Sequence, residues 1–309
     1  MPDPMPFRLG TRRSPLALAQ AEETRARLCK AHGWDESAVE LVPVVASGDR
    51  VQDRPLAEIG GKALWTKELD AWLLEGRIDA AVHSMKDVET LRPDAIALAA
   101  VLPRADVRDV LIGAASIMAL PEGATVGTSA PRRAAQLLHA RRDCRVVTFR
   151  GNVDTRLARL AAGEADATFL AAAGLERLGR RGVGTPLGLD EWLSAPSQGA
   201  IGIECRADDA RAHAWLAEIS HAPSRAQVDA ERALLAALGG TCHSPIAVVS
   251  EGGDREITLR AALFSPDGAE RVEGTATFAA GDSEGPKRLA HDLLARAAPA
   301  ITAHFTGAP

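Results

Sequence analysis

No stretch of this chain reaches the ~18 consecutive apolar residues that a membrane-spanning helix requires. The opening residues, Met1-Pro-Asp-Pro-Met-Pro-Phe-Arg8, hold no apolar segment of the kind a secretion signal carries. Cysteine is scarce: the four, at 29, 144, 205 and 242, lie far apart and form no CxxC or CxxH pair. That spacing argues against a zinc site and, with the missing signal, reads as free thiols in a reducing compartment. A cytoplasmic protein is expected, with no metal. An excess of positive charge is also lacking, since 36 Lys and Arg stand against 41 Asp and Glu for a net charge of −5. General nucleic-acid binding and adhesion to anionic membranes are therefore disfavoured. Long heptads and oversized apolar segments are absent too, so a monomer is expected.

The 309 residues suffice for two or three domains, and 46% hydrophobic content can fill their cores. The first hundred residues alternate strand and helix. Phe7–Thr11 is extended. Ser14 caps a helix with Pro15 at its first position, running to about Gly33. Val39–Val45 reads as a strand, Lys67–Glu75 as a helix closed by Gly76, and Ala80–His83 as a strand. After Leu102-Pro103 the pattern recurs: Val110–Ile112, a helix from Ser129-Ala-Pro131, Val146–Phe149, and a helix from Thr155. One echo links the halves: Glu75-Gly76-Arg-Ile-Asp79-Ala80 and Ala162-Gly163-Glu-Ala-Asp166-Ala167 each lead into a strand. Ser194-Ala-Pro-Ser-Gln198-Gly199 reads as a return crossover, giving two linkers and a hinge. Beyond it come a helix at Asp229–Leu238 and strands at Ile246–Ser250, Ile257–Leu263 and Val272–Phe278. A helix near Lys287–Ala297 closes this α+β region. The expected domains are 1–102 with 196–220, then 103–195, then 221–309.

Positive charge is concentrated between Arg132 and Arg156, where seven arginines meet two aspartates and no lysine. The planar guanidinium fork grips carboxylate or phosphate at two points. Arg141, Arg142 and Arg145 read as solvated surface charge. Arg132, Arg133, Arg150 and Arg156 fall at the carboxyl ends of expected strands, where open α/β sheets bind ligands. His83-Ser84-Met85-Lys86-Asp87 forms another such corner. There Asp87 either caps a helix or, among arginines, is the one negative charge facing a cationic or N–H-bearing centre. Gly60-Gly61-Lys62 is a loop carrying one cation. Cys242 follows Gly239-Gly240 on a loop, whereas Cys29, Cys144 and Cys205 read as buried small hydrophobes.

Ten segments, in order, resemble the porphobilinogen deaminase family over essentially the whole chain. They are Gly10-Thr-Arg-Arg-Ser-Pro-Leu-Ala-Leu, Gly60-Gly-Lys, Val82-His-Ser-Met-Lys-Asp, Val126-Gly-Thr-Ser, Arg132-Arg133, Arg150-Gly-Asn-Val-Asp-Thr-Arg156, Ala173-Gly-Leu, Gln198-Gly-Ala, Gly202-Ile-Glu-Cys and Gly-Gly-Thr-Cys242. The resemblance implies an α/β fold: two similar periplasmic-binding-protein-like domains joined by a two-linker hinge, plus a small C-terminal α+β domain. It implies a transferase that condenses four porphobilinogen molecules head to tail, releasing ammonia, to the linear tetrapyrrole hydroxymethylbilane. It also implies a dipyrromethane cofactor held by a thioether to Cys242, with Asp87 as catalytic carboxylate. Arg12, Ser14, Lys62, Lys86, Arg132, Arg133, Arg150, Arg156 and Arg177 match positions that bind cofactor or substrate carboxylates. Ser84, Ser129 and Gln198 match lesser contacts. Three positions depart from the family's common pattern: Glu58 stands where a lysine is frequent, Ala130-Pro131 where a serine–leucine pair is, and the cysteine loop reads Thr-Cys-His-Ser-Pro.

Two rival readings remain open on the residues alone. A non-catalytic two-lobed protein binding a small dicarboxylate accounts for the hinge and the arginines but not for Cys242. A thiol enzyme pairing Cys242 with His243 needs neighbours in sequence to face each other, which partners brought together by a fold do not require.

Overall fold

A computed structural model describes residues 6–44 and 66–305. The Gly60-Gly61-Lys62 loop, Glu58 and Val45 lie outside the described residues. The chain opens with β1 (Phe7–Arg12), α1 (Pro15–His32), β2 (Val39–Val44), α2 (Lys67–Leu74), β3 (Ala80–Ser84) and β4 (Ile96–Val101). It continues through β5 (Asp109–Ile112), β6 (Thr125–Gly127), α3 (Pro131–Ala140), β7 (Arg145–Val147), α4 (Val153–Ala161), β8 (Ala167–Ala171), α5 (Ala172–Arg177) and β9 (Thr185–Pro186). Last come β10 (Ile201–Arg206), α6 (Ala210–Ala217), α7 (Ala222–Ala237), β11 (Ile246–Gly252), β12 (Glu256–Phe264), β13 (Arg271–Ala279), α8 (Glu284–Arg296) and α9 (Pro299–Thr302). Among the described residues no helix is long and apolar enough to cross a membrane.

Of these residues, 6–44, 66–104 and 200–225 form one compact unit, and 105–199 with 226–305 form another. The first unit is built on a five-stranded sheet of order β2-β1-β3-β10-β4. Leu9, Leu28, Ile201, Ile203 and Leu216 meet in its core. The second unit contains a five-stranded sheet of order β7-β6-β8-β5-β9 and a three-stranded antiparallel sheet, β11-β12-β13. The five-stranded sheets share one arrangement of strand directions: three parallel strands, then one strand antiparallel to both its neighbours, then an edge strand.

The echo between residues 75–80 and 162–167 has a structural cause. Gly76 and Gly163 both adopt the left-handed conformation, φ 67° and 76°, which ends the preceding helix at little steric cost. Each following aspartate then closes a two-point clasp on its central strand. Asp79 Oδ2 accepts the Arg8 N–H at 2.8 Å, and Asp166 Oδ2 accepts the Thr125 N–H at 2.7 Å. The aspartates' own N–H groups donate back to Arg8 O and Thr125 O, both at 2.8 Å.

Several elements depart from expectation. The helix expected from Thr155 starts at Val153, because Asn152 accepts the Thr155 N–H and so caps it two residues earlier. The strand expected at Val146–Phe149 covers Arg145–Val147, and the helix expected from Asp229 begins at Ala222. Strands β4, β6, β9 and β10 and helices α5, α6 and α9 have no counterpart among the expected elements; β6 is three residues long and gives no periodic signal.

Two buried ion clusters brace the units. In the second unit, Asp109 receives four side-chain donors. Arg132 Nη2 (2.7 Å) and Trp192 Nε1 (2.8 Å) reach Oδ2; Arg133 Nη2 (2.7 Å) and Gln198 Nε2 (2.8 Å) reach Oδ1. Burial alone would raise the Asp109 carboxyl, but the two guanidiniums outweigh it and hold it well below the usual carboxylate range. In the first unit, Arg92 bonds Glu204 through Nε (2.9 Å) and Nη2 (2.7 Å), Asp70 at 2.5 Å, and Glu89 at 3.1 Å. His83 Nε2 lies 3.2 Å from Glu204 Oε2, within ion-pair reach but off the line of a hydrogen bond. Burial pushes Glu204 up, yet His83 and Arg92 more than offset this and hold it at about 2.

Asp109→Asn leaves two buried guanidiniums without their counter-charge, so it should lower unfolding free energy by about 3–5 kcal/mol. Urea unfolding of the purified variant checks this; an unchanged midpoint would show that Asp109 does not brace the unit. The pH dependence has a definite sign. Glu204 is depressed from 4.5 to about 2, so its contribution is complete above about 4.5 and is lost as pH falls toward 2. Asp109 acts in the same direction. Urea midpoints should therefore fall steeply below about pH 4.5, and a midpoint independent of pH from about 5 to 3 would contradict this account.

Candidate functional site

In the first unit, the ends of β1 and β3 and the start of α1 enclose a hollow. Arg12, Ser14, Gln20, His83, Ser84 and Asp87 are among its lining residues. Ser14 caps α1 by accepting the Ala17 N–H at 3.3 Å, with Pro15 at the first helical position. The cap sets the helix start against the strand end, placing Arg12 and Ser14 side by side at the mouth. Strand β3 runs into a single 3₁₀ turn, Met85–Asp87, because the Val88 N–H closes back on Met85 O. Asp87 is half-buried at the end of that turn and faces the hollow. Lys86 is half-buried beside it and is not among the lining residues.

Gln20 was not singled out from sequence. It is 3% exposed and exchanges hydrogen bonds with Ser84, its Nε2 donating to Oγ at 2.8 Å and its Oε1 accepting from Oγ at 3.1 Å. The pair fixes the Ser84 hydroxyl three residues before Asp87. The available signal was that Gln20 sits on the helix following Ser14-Pro15, among alanines and leucines, a polar side chain in an apolar setting. Thr66 and His83 also line the hollow, and sequence reasoning gave them no role.

In the second unit, α3 starts at Pro131 with Ala130 as its cap residue, and no side chain covers its first N–H groups. Ser129 is half-buried just before it. Arg132 and Arg133, each 5% exposed, were read as forks open to a ligand; in this structure both turn inward on Asp109. Their second NH₂ groups donate to Leu193 O (2.7 Å) and Phe169 O (3.0 Å). The Arg133 Nε is buried and has no hydrogen-bond partner among the described residues. Gln198 is 1% exposed, and its amide serves Asp109 and Val107 O.

Arg150 and Arg156 are half-buried at the corner opening α4, where Arg156 Nε donates to Gly151 O at 3.0 Å. Arg177 ends α5 and donates to Gly199 O at 3.1 Å. Arg141, read as solvated charge, instead staples a turn: it pairs with Asp143 and donates to Leu120 O and Pro121 O.

Cys242 is the exposed one of the four free cysteines. Burial raises the thiols of Cys29 and Cys144 and pushes that of Cys205 up to about 11, which leaves those three unreactive. Helix α7 ends at Gly239 in the left-handed conformation, and Thr241 and Ser244 close a small turn around Cys242. In that turn Ser244 N–H donates to Thr241 O, and Thr241 N–H to Ser244 Oγ. An exposed thiol on a held loop fits covalent attachment of a cofactor. Burial pushes the neighbouring His243 imidazole down, so it is neutral at neutral pH and does not act as a cation beside the thiol.

Comparison with known proteins bears on the family of the chain. The family model described as porphobilinogen deaminase, dipyromethane cofactor binding domain, matches residues 7–214, and the porphobilinogen deaminase C-terminal domain matches 226–296. The porphobilinogen deaminase of Sphingopyxis alaskensis is 56% identical over 306 residues, covering 97% of this chain and 96% of its own. That of Paracoccus denitrificans is 51% identical over 310 residues, covering 96% of each. Among solved structures, the second substrate binding domain of a putative amino acid ABC transporter from Streptococcus pneumoniae matches at TM-score 0.42. It is 13% identical and covers 74% of this chain and 96% of its own. The first family model spans both five-stranded sheets, and the second covers the smaller C-terminal part that holds the three-stranded sheet. With both models matched in order and near-complete relatives above 50% identity, the chain belongs to the porphobilinogen deaminase family.

Proposed function

We propose that Asp87 is the catalytic carboxylate of a porphobilinogen-condensing transferase and that Cys242 is the point of attachment for its dipyrromethane cofactor. The observation that carries the reading is the hollow in which Asp87 meets Arg12, Ser14 and Ser84. A pyrrole ring with acetate and propionate arms needs such a pairing: a carboxylate for its N–H and cations for its arms.

The reaction joins four porphobilinogen molecules head to tail, with loss of one ammonia each time, and one water captures the terminal methylene on release to give hydroxymethylbilane. The bound dipyrromethane supplies the pyrrole end at which the chain grows. When the C–N bond of porphobilinogen breaks, the electron pair leaves with ammonia and the substrate ring becomes an electron-poor azafulvenium. Asp87 accepts the ring N–H and stabilises that positive charge as it develops, a preorganised electrostatic contribution. Gln20 and Ser84, locked to each other, hold the wall of the hollow rigid. Arg12, Lys62, Lys86, Arg150, Arg156 and Arg177 take the carboxylate arms, two more for each added unit. Arg132 and Arg133 are held on Asp109, and the Arg133 Nε supports their share in this role. Ser129 and the uncapped start of α3 offer further donors. Gln198 contributes through Asp109, which its amide already bonds.

The chain acts in the cytoplasm, where the Cys242 thiol is kept reduced, and as a monomer. Three exposed large apolar side chains among the described residues, Leu74, Leu91 and Met118, are too few for an obligate interface, which buries upwards of ~1,000 Å² per partner.

The purified protein should weigh more than its sequence by one dipyrrole unit and give the pyrrole colour reaction with an acidic aldehyde reagent. Cys242→Ser should weigh only its sequence and give no colour, because a hydroxyl replaces the nucleophilic sulfur. A dipyrrole mass retained by that variant would move the attachment elsewhere. Asp87→Asn should keep the cofactor mass and lose turnover by about 10²-fold or more, the range for removing a transition-state charge partner. Turnover near that of the parent would take Asp87 out of its role.

A further inference from the structure

The turn that carries Asp87 is held from one side by a single strand. Met85 N–H donates to Ala200 O at 3.1 Å. The Met85 side chain, 1% exposed, lies against the bare backbone of Gly202, where an added Cβ would come within 2.1 Å of its sulfur. Two residues further along β10, Glu204 is 1% exposed and has the same facing as Gly202. Its carboxylate meets two residues that bracket the turn. His83, two residues before it, brings Nε2 to 3.2 Å from Oε2. Arg92, five residues after Asp87, donates to both oxygens, at 2.9 and 2.7 Å. Arg92 is in turn fixed by Asp70 and Glu89, and Glu89 accepts from the Thr66 hydroxyl at 2.7 Å. Thr66 and His83 both line the hollow with Asp87.

We infer that Glu204 is a positioning residue for the condensation, the buried carboxylate that fixes both ends of the 84–91 segment and thereby the place of Asp87 in the hollow. The inference rests on the reading of Asp87 as the catalytic carboxylate. Backbone pairing alone does not supply this restraint. β10 pairs with β3 only up to Ser84, and the chain from Met85 to Ala95 belongs to no sheet. Beyond the Met85 contacts, the Glu204–Arg92 fork is a side-chain tie that returns the segment to the strand. Glu204 remains ionised throughout the ordinary pH range, so the tie is permanent while the enzyme works. Glu204 touches neither Asp87 nor the hollow. Its effect is therefore expected in turnover and not in substrate binding.

The test is a double-mutant cycle of Glu204→Gln with Asp87→Asn on cofactor-loaded enzyme, assayed well below each variant's melting midpoint. Glu204→Gln alone should keep the dipyrrole mass and lower kcat about tenfold or more with KM within about twofold, as misplacing a catalytic group by ~1 Å does. In the Asp87→Asn background the same change should leave the residual turnover unaltered. A kcat within about twofold of the parent overturns the inference, as does an undiminished tenfold loss in the Asp87→Asn background. In the latter case the large loss from Asp87→Asn itself leaves Asp87 in its role. Near-normal turnover of Asp87→Asn alone overturns the Asp87 reading instead. Where Glu204→Gln does not accumulate folded, Arg92→Lys keeps the positive charge but not the two-point fork. It should lower kcat in the same way at unchanged KM, and parent-like turnover in a folded Arg92→Lys enzyme overturns the inference.

Discussion

Asp109 binds two guanidiniums, an indole N–H and an amide through two oxygens, at 1% exposure. Much of the second unit follows from that arrangement. The first turn of α3 would otherwise bury two positive charges beside a helix start that already carries a partial positive charge, a position that favours anions. With Asp109 between them, the guanidiniums become rigid. Their remaining NH₂ groups are aimed at the carbonyls of Leu193 and Phe169. One carboxylate thus ties β5, α3, the middle of β8 and the 192–198 segment together. The same segment is pinned a second time at Ser197, the one non-glycine residue with positive φ among those described. Its N–H donates to the buried Glu231 at 2.5 Å.

The two five-stranded sheets show how one arrangement of strand directions carries two chemistries. Both use a glycine helix end and an aspartate clasp to join the second parallel helix to its strand. They differ at the strand ends. After β1 the helix is capped by Ser14, whereas after β6 it begins at Ala130 with no side-chain cap and is followed by two arginines. After β3 comes the polar turn that bears Asp87; β8 passes directly into the short helix α5 at Ala172. The clasp keeps each strand in register whatever stands at its far end. Side chains at the ends were therefore free to diverge, one towards a carboxylate and the other towards cations.

Elements with local signals were legible in the sequence. Ser14-Pro15 and Gly33 bound α1 because a hydroxyl cap, a fixed φ and a left-handed residue act within a few positions of each other. The 266–268 turn and the strands around it were legible for the same reason. What was not legible depends on partners far away in sequence. Strand β10 pairs with β3 and β4 more than a hundred residues earlier, and nothing in Ile201–Arg206 announces it. Gln20 is recognisable as part of the site only because Ser84 lies 64 residues away and 2.8 Å distant. Asp109 stands just before the expected Val110–Ile112 strand with no local signal of its role, because its four donors are 23 to 89 residues off.

The arginine concentration illustrates how composition and structure inform each other. A run of seven arginines in a net-acidic chain pointed to a carboxylate-rich ligand, yet three of them are committed to the protein itself. Arg132 and Arg133 hold Asp109, and Arg141 pairs with Asp143 while capping the carbonyls of the 117–121 turn. On the proposed reading of Arg132 and Arg133, those commitments have a use, because the charge of the ligand grows with each added unit. A guanidinium that must meet successive carboxylates gains nothing from flexibility, since each new arm would have to order it again at a cost of up to ~2 kcal/mol in side-chain entropy. Fixing the inner face of the fork on a protein carboxylate or carbonyl removes that cost in advance. It also keeps the guanidinium from collapsing onto the nearest acidic group when no ligand is bound. Buried counter-charges such as Asp109 are then part of how an acidic protein can keep buried guanidiniums in place.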